Sequence, residues 1–272
     1  MQEETINIPR RDQEKTVKSI SSFINEKVNE SQTSGAVIGL SGGLDSSTTA
    51  YLCAKTIKND QILGLIMPTV TTPPEDIEDA IIVAETLGIE YEIIHVDDLI
   101  APFTDLCIHA KDKTNSDHRD IANANLKARI RMMILYYHAN DLNRLVIGTG
   151  NRTEILVGYF TKHGDGGVDI LPIGDLYKTE VRMLASQLGV PKEIIDKPPT
   201  AGLWAGQTDE EELGIKYDIL DKILYLMVDK NLDDNEVAQK LEISINEVLR
   251  IERKIKNSQH KSEPAQSPKL PK

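Results

Sequence analysis

Cysteines are scarce in this sequence, and long apolar runs are absent. Only two cysteines, Cys53 and Cys107, occur among 272 residues, and they form neither a CxxC pair nor a disulfide framework. This usage fits a reducing cytoplasm and predicts two buried thiols. No apolar stretch reaches the length that spans a bilayer, and the polar N-terminal residues resemble neither a signal peptide nor an anchor. We therefore expect a cytoplasmic protein that does not enter a membrane.

Basic residues are also in deficit. The chain carries 43 acidic residues against 31 lysines and arginines, for a formal net charge of -12. That charge repels nucleic acid at long range, so no nucleic-acid partner is expected, although a few local donors can still bind a nucleotide. The hydrophobic fraction of 40% is enough for one α/β domain with helical additions, or for two small domains.

Four short apolar runs alternate with helical patterns in the first half of the chain. Strands are predicted over residues 35–40, 61–67, 91–96 and 144–147, and helices over 12–30, 46–58, 75–87 and 120–140. Strands that alternate with helices pair in parallel and are covered on both faces. We therefore predict an α/β fold with a Rossmann-like parallel sheet flanked by helices.

After residue 148 the pattern changes. The glycine-rich segment 161–167 predicts a mobile loop, and residues 178–188 predict a further helix. Residues 213–256 predict two or three amphipathic helices, which complete a single domain over residues 1–256. The segment 257–272 contains prolines and lysines and few apolar residues, which favours a flexible tail.

A turn rich in glycine and serine, Ser41 to Ser47, joins the first predicted strand to the next helix. Such turns lie at the carboxyl edge of a parallel sheet, where free N–H groups and the helix dipole bind phosphate. Gly42 and Gly43 allow close approach of an anion. The turn lacks the spacing and the lysine of a Walker A motif. It also lacks the GxGxxG pattern, and this second absence disfavours a nicotinamide-dependent dehydrogenase. Asp45 beside a phosphate indicates a bridging Mg2+, and the alternative is an ordinary helix N-cap.

Five segments, in order, resemble the NAD synthetase family of the ATP pyrophosphatase superfamily. The first, residues 39–46 (GLSGGLDS), is similar to the phosphate loop of the whole superfamily. The later segments are similar to motifs of NAD synthetases in particular, and they cover residues 125–132, 145–154, 158–178 and, in two adjacent parts, 197–210 and 212–217. The resemblance extends over roughly residues 10–262, nearly the whole chain.

This resemblance implies the ATP-dependent amidation of deamido-NAD+ by ammonia, through an adenylated intermediate, to give NAD+, AMP and pyrophosphate. ATP is then a co-substrate and Mg2+ a cofactor. Many relatives carry an added glutaminase domain, for which 272 residues leave no room. Ammonia is therefore expected to arrive free or from a separate protein.

The resemblance also assigns the ATP and metal sites. Asp45 and Lys178 are expected to be catalytic, and Asp45, Glu154 and Asp165 to bind Mg2+, because carboxylate oxygens suit that ion. The alternatives are a solvated helix carboxylate for Glu154, a turn-forming aspartate for Asp165 and a solvated lysine at a helix start for Lys178. For Thr149 and Thr200, which are expected to contact ATP, the alternative is that each caps a helix. The residues expected to contact ATP are Gly39, Leu40, Ser41, Gly42, Gly43, Leu44, Asp45, Ser46, Thr149, Lys178 and Thr200.

The deamido-NAD+ site is assigned by the same matching to Arg129, Lys162, Asp169, His260 and Lys261. Arg129 lies in an apolar helical segment and needs a partner, which is either the substrate or an intramolecular carboxylate. Lys162 lies on the glycine-rich loop and is placed to clamp the substrate when that loop closes. His260 and Lys261 fall within the predicted tail, so we expect the tail to become ordered on ligand binding.

The predicted helix over residues 120–140 is apolar on too many sides for a surface helix. Its apolar residues include Leu126, Ile130, Met133, Ile134 and Tyr137. The family forms dimers that bury such a surface and place the dinucleotide site at the subunit interface. A homodimer is therefore expected, and burial within the monomer is the alternative.

Two other classes of function compete with amide synthesis. A tRNA-thiolation enzyme of the same superfamily would need a basic surface and usually catalytic cysteines or a CxxC pair, none of which the sequence has. A non-enzymatic nucleotide sensor would not need Asp45, Glu154 and Lys178 to converge on one nucleotide.

Overall fold

Four parallel strands form a single sheet in the computed structural model, which describes residues 8–107, 116–200, 202, 206 and 208–270. The strands are β1 Ala36–Gly39, β2 Ile62–Ile66, β3 Glu90–Ile93 and β4 Leu145–Ile147, and their order in the sheet is β3-β2-β1-β4. In the register, Val37 of β1 lies between Leu63 of β2 and Val146 of β4. The predicted α/β fold with a parallel sheet is confirmed.

The central strands are buried, and of the two edge strands β3 is largely exposed whereas β4 is mostly buried. All five residues of β2 and the first three of β1 are buried, which explains their unbroken apolar sequences. Three of the four residues of β3 are exposed, including the charged Glu90 and Glu92. Charges on an edge strand discourage pairing with another chain, so β3 is a suitable end to the sheet.

Helices cover both faces of the sheet. One face packs against α1 Gln13–Glu30, α2 Leu44–Ala54, α3 Pro74–Leu87 and, later in the chain, α7 Lys178–Leu188. The other face packs against α5 Ser116–Asp141, which lies beside α4 Asp97–Leu106. The short helix α6 Arg152–Val157 follows β4 directly.

Five more helices complete the chain: α8 Lys192–Asp196, α9 Asp209–Leu213, α10 Tyr217–Leu224, α11 Asp234–Leu241 and α12 Ile245–Ser262. A π-helical turn, Tyr225–Asp229, extends α10. Helices α9 to α12 enclose a second core around Tyr217 and Leu220 that also includes Val157 of α6. The amphipathic helices predicted between residues 213 and 256 are thereby confirmed as α10, α11 and α12.

The predicted end of the helical part at residue 256 is wrong, because α12 continues to Ser262. Ser258 is buried against Gly158, where an added Cβ would lie only 2.0 Å from the Cβ of the serine. Lys261 donates to the carbonyl of Gly158 at 2.7 Å. These contacts reach about a hundred residues back along the chain, so the composition of the tail alone gave no sign of them. The segment predicted to be a flexible tail therefore begins within a helix.

Helices α4, α6, α8 and α9 lie outside the elements predicted from the sequence. Pro102 lies inside α4 and interrupts the pattern by which such a helix is recognised. The segment 161–167 has no helix or strand, as predicted, and its mobility stays a prediction. Among the helices of the described part of the chain, none is both long enough and apolar enough to cross a bilayer.

Candidate active site

A large cavity lies at the carboxyl edge of the sheet. Strand β1 has β2 on one side and β4 on the other, so the chain leaves β1 toward one edge and later returns to the opposite side. The loops after β1 and β4 diverge at this switch point, where parallel α/β sheets bind ligands. The cavity has a volume of about 740 Å³ and is lined by both loops, by α5, by the start of α7 and by the end of α12.

The loop after β1 is shaped by one glycine and one serine. Gly42 has φ +74°, and a Cβ built on it would lie 2.1 Å from the carbonyl oxygen of Asp76 in α3, so only glycine fits. The buried Ser46 hydroxyl accepts from the N–H of Ser41 at 3.2 Å and donates to the carbonyl of Gly43 at 3.1 Å. The loop is therefore held in place before any ligand binds, and it ends at the N-terminus of α2.

The loop after β4 brings a second carboxylate to the same place. Asn151 caps α6 by accepting from the N–H of Glu154 at 3.0 Å, and the Glu154 carboxylate accepts in return from the N–H of Asn151 at 3.4 Å. The amide of Asn151 also donates to Oδ1 of Asp45 at 3.1 Å. Asn151 thus connects the two loops across the switch point.

Lys178 lies between the two carboxylates. Its Nζ is 2.5 Å from Oδ2 of Asp45 and 3.1 Å from Oε1 of Glu154, and its side chain is only 3% exposed. The ammonium group also lies over the ring of Tyr217, 5.1 Å from the centroid. The alternative of a solvated lysine at a helix start is therefore wrong, and so is that of a solvated Glu154, whose side chain is 16% exposed.

Burial governs the titration of this cluster. It raises the pKa of Glu154 to about 7, an effect that Asp45 increases and the Lys178 ammonium opposes. Burial alone would lower the pKa of Lys178, but its attraction to Asp45 and Glu154 outweighs this and the pKa is raised. The cluster therefore combines a lysine that stays protonated with a carboxyl group whose pKa is raised by burial.

Asp45 and Glu154 provide hard oxygen donors close together, which suits Mg2+. That ion usually takes one or two carboxylates and completes its shell with phosphate oxygens and water. The described residues contain no cluster of three or more His, Cys, Asp or Glu side chains that could hold a metal ion by itself. The two carboxylates thus fit a metal that arrives with a phosphate ligand, rather than one held by the protein alone.

Most residues of the predicted ATP set line the cavity. From the first loop these are Gly39, Leu40, Ser41, Gly43, Leu44, Asp45 and Ser46, and the later ones are Thr149, Lys178 and Thr200. Gly42 does not line it, because it faces Asp76. Residues 201, 203–205 and 207, which follow Thr200 in the fifth motif, lie outside the described residues.

The residues predicted for deamido-NAD+ are more dispersed. Only Lys261 lines the cavity. Arg129 is exposed and donates to the carbonyl of Lys162 at 3.3 Å. Lys162 in turn donates to the carbonyls of His260 and Glu263, the former at 2.5 Å, so loop and tail are in contact.

Asp169 and Asp165 each have a structural partner. Asp169 accepts from the hydroxyl of Tyr136 at 2.9 Å and from the N–H of Val146, the middle residue of β4, at 2.7 Å. Asp165 accepts from the N–H of Thr161 at 2.9 Å, which is the contact of a turn-forming aspartate. Asp165 also lines the cavity, so its role as a second metal ligand stays a prediction.

Sequence reasoning missed several polar residues of the cavity. Asp209 is buried and accepts from the hydroxyls of Tyr159 and Tyr217, both at 3.1 Å. Arg131 lies two residues from Arg129 in the same motif, and it is this arginine that lines the cavity. Lys197 lines it too and binds Asp76 of α3 at 2.7 Å. Each lies within a motif segment, but a linear motif does not show which way a side chain points.

A phosphate loop at a switch point, facing a buried lysine between two carboxylates, defines a nucleotide-binding enzyme of the α/β class. The sequence profile described as NAD synthase matches residues 16–265. The NH(3)-dependent NAD(+) synthetase of Archaeoglobus fulgidus is 51% identical over 251 residues, which cover 92% of this chain and 94% of the relative.

Two solved structures are similar over almost the whole chain. The NMN synthetase of Francisella tularensis has a TM-score of 0.82 at 34% identity, covering 96% of this chain and 100% of that chain. The NH3-dependent NAD synthetase of Campylobacter jejuni has a TM-score of 0.77 at 30% identity, covering 95% and 100%. The chain belongs to the NAD synthase family. The predicted family and enzyme class, a ligase that forms an amide in NAD synthesis, are confirmed.

Proposed function

We propose that this chain converts deamido-NAD+, ATP and ammonia into NAD+, AMP and pyrophosphate. The observation that carries the proposal is the placement of Lys178, which lies between Asp45 and Glu154 on the wall of the phosphate-loop cavity. A reaction that separates pyrophosphate from ATP needs positive charge at that place.

Because Cys53 and Cys107 are both free thiols, we also propose that the protein works in the reducing cytoplasm.

The reaction has two steps. A carboxylate oxygen of the nicotinate group attacks the α-phosphorus of ATP, the bond to the bridging oxygen breaks, and pyrophosphate leaves. The resulting acyl adenylate is attacked by the nitrogen of ammonia at its carbonyl carbon. AMP leaves with the electron pair of the acyl–oxygen bond, and the nitrogen loses a proton to give the amide of NAD+.

The chain supplies binding and charge in this scheme. Free N–H groups at the start of α2 and the loop from Ser41 to Gly43 bind phosphate oxygens. Lys178 stabilises negative charge that develops on the phosphoryl oxygens as pyrophosphate leaves. Asp45 and Glu154 would hold Mg2+, which neutralises the triphosphate and assists the leaving group.

The predicted deamido-NAD+ residues fit a site completed by a second subunit. Four of the five do not line the cavity, and α5 presents an exposed apolar face on which Met133 is 52% and Tyr137 71% exposed. These two line an apolar groove with Ile94, Leu99, Ile130, Ile134 and His138. Apolar surface of this kind usually marks an interface. We propose that the groove is the homodimer contact and that the dinucleotide binds next to it.

Sedimentation of variants tests the dimer. Tyr137→Asp is expected to give monomers, because it places a charge on the lining of the apolar groove. Ile82→Asp is the matched control, since Ile82 is an exposed apolar residue of α3 outside the groove and 47% exposed. Monomeric wild-type protein at micromolar concentration, or equal effects of both variants, would contradict the assignment.

The reaction itself is tested by incubating the protein with ATP, Mg2+, ammonium and deamido-NAD+ and following NAD+, AMP and pyrophosphate. Asp45→Asn should lower turnover sharply with an unchanged fold. Asp60→Asn, an exposed aspartate of the turn before β2, is the matched control and should be fully active. No NAD+ at any ammonium concentration would overturn the proposal.

The same assay separates the competing functions. Nicotinate mononucleotide is included as a second acceptor, because the similar Francisella structure is named an NMN synthetase. Glutamine replaces ammonium in a further reaction to identify the nitrogen source. A tRNA-thiolation enzyme would release pyrophosphate only with tRNA, and a nucleotide sensor would bind ATP without releasing pyrophosphate.

A further inference from the structure

A buried carboxylate lies behind the cavity and connects three helices. Asp221 of α10 has no exposed surface. Its Oδ1 accepts from the hydroxyl of Thr153 in α6 at 2.6 Å. Its Oδ2 accepts from both the N–H and the hydroxyl of Thr179 in α7, each at 2.8 Å. A buried carboxylate with three donors is fully satisfied and holds its partners firmly.

Both partners adjoin residues of the charged cluster. Thr153 precedes Glu154, and Thr179 follows Lys178. The hydroxyl of Thr153 also accepts from the N–H of Lys178 at 3.0 Å. The N–H groups of Lys178 and Thr179 belong to the first turn of α7, where no carbonyl within the helix is available to accept them. Thr153 and Asp221 supply those acceptors, and they fix the start of α7 relative to α6.

Asp221 itself does not line the cavity. Its influence on the reaction must therefore pass through the two threonines to the backbone of Lys178 and the helix that carries Glu154. If α7 shifted relative to α6, Nζ of Lys178 would lose its position between Asp45 and Glu154. A misplacement of about 1 Å in a catalytic group is enough to lower a rate by roughly a hundredfold.

We propose that Asp221 is a positioning residue that acts through Thr153 to hold Lys178 and Glu154 in their catalytic arrangement. This inference rests on the proposed function, because it assigns Lys178 a role in the departure of pyrophosphate. It explains why part of the C-terminal helical addition is built into the site, although that addition contributes no strand to the sheet.

The test removes one hydroxyl and then restores it. Thr153→Val should lower kcat by at least about tenfold and change KM for deamido-NAD+ by less than about twofold, because substrate binding is retained while the catalytic group is displaced. Thr153→Ser keeps the hydroxyl and should remain within about threefold of wild type. Thr49→Val is the matched control, since Thr49 is equally buried in α2 and its hydroxyl has no partner among the described residues. The melting temperature of each variant is measured, and the assay is run well below it so that every variant is folded.

A double-mutant cycle separates positioning from general loosening. In a Lys178→Arg background the catalytic nitrogen is already displaced. Adding Thr153→Val to that background should therefore lower kcat by less than about twofold. Equal losses in both backgrounds, an inactive Thr153→Ser or a fully active Thr153→Val would each overturn the inference. If wild-type protein forms no NAD+, the proposed function fails instead. The cycle is then measured on the affinity for Mg-ATP, where the same non-additivity is expected.

Discussion

Replacing Glu154 by glutamine should make the free protein more stable at pH 8 while abolishing its reaction. Glu154 is 16% exposed and lies near Asp45, and both share the one ammonium group of Lys178. An amide of nearly the same shape still accepts from Lys178 but carries no charge. The variant therefore removes the repulsion between two buried carboxylates, and it removes the second ligand for Mg2+.

The magnitude follows from the pKa of Glu154. Burial raises this pKa from 4.5 to about 7 in the folded protein. Between these values the folded state binds more protons than the unfolded state, so stability falls as pH rises and levels off above pH 7. With 1.36 kcal/mol per pKa unit, the wild-type protein should lose about 2 to 3 kcal/mol from this group between pH 5 and pH 8.

Urea unfolding at pH 5, 6, 7 and 8 measures the effect as a difference between wild type and variant. The difference is needed because other groups titrate in both proteins, such as Asp221, whose pKa is raised by burial to about 6. The gap should widen with pH in favour of Glu154→Gln by about 2 kcal/mol. NAD+ formation by the same samples should be lost.

Parallel pH curves for the two proteins would show that Glu154 has an ordinary pKa, and the argument from burial would be wrong. A variant less stable than wild type at pH 8 would show that the attraction to Lys178 outweighs the cost of burial. Full activity of a correctly folded variant would show that Glu154 is not a metal ligand.

Three further expectations concern single residues. Gly42→Ala should destabilise the protein by ~2 kcal/mol or more and abolish activity, because of the positive φ and the contact with Asp76; wild-type urea unfolding would contradict this. Thr49→Val should leave the free energy of unfolding unchanged or raise it by up to ~1 kcal/mol, since a buried hydroxyl without a described partner is removed; a clear loss in a urea titration would reveal a partner. The predicted burial of both thiols is wrong for Cys107, which is exposed just after α4. In the native protein, Ellman's reagent should modify Cys107 but not Cys53, whose thiol pKa burial raises to about 12; two rapidly reacting thiols would refute this.

The sheet and the phosphate loop were predictable because their determinants are local. An apolar run such as residues 36–40, followed by Ser41 and two glycines, has few structural solutions. The helix Pro74–Leu87 likewise shows its end in the sequence, since Gly88 adopts the left-handed conformation that closes it. In such segments neighbouring residues fix the backbone, and a linear pattern is sufficient.

The meeting of Asp45 with Glu154 and Lys178 was predictable only through the family resemblance. The three residues lie on separate segments, and their proximity depends on the order of strands in the sheet. Asp221 was missed altogether, because in the sequence it is one of two acidic residues in an amphipathic helix. Its function depends on hydrogen bonds to Thr153 and Thr179, and long-range pairing of this kind has no local pattern.

The distances along the chain between the members of the cluster have a consequence for biosynthesis. Asp45 and Lys178 are 133 residues apart, and Thr153 and Asp221 are 68 residues apart in an overlapping span. At the usual rate of synthesis, roughly ten seconds or more separate the emergence of Asp45 from that of Asp221. During this interval the nascent chain can present the phosphate loop without the lysine and the buried carboxylate that complete the site. A chain interrupted before residue 178 lacks the lysine that the proposed function requires, so we expect it to release no pyrophosphate from ATP.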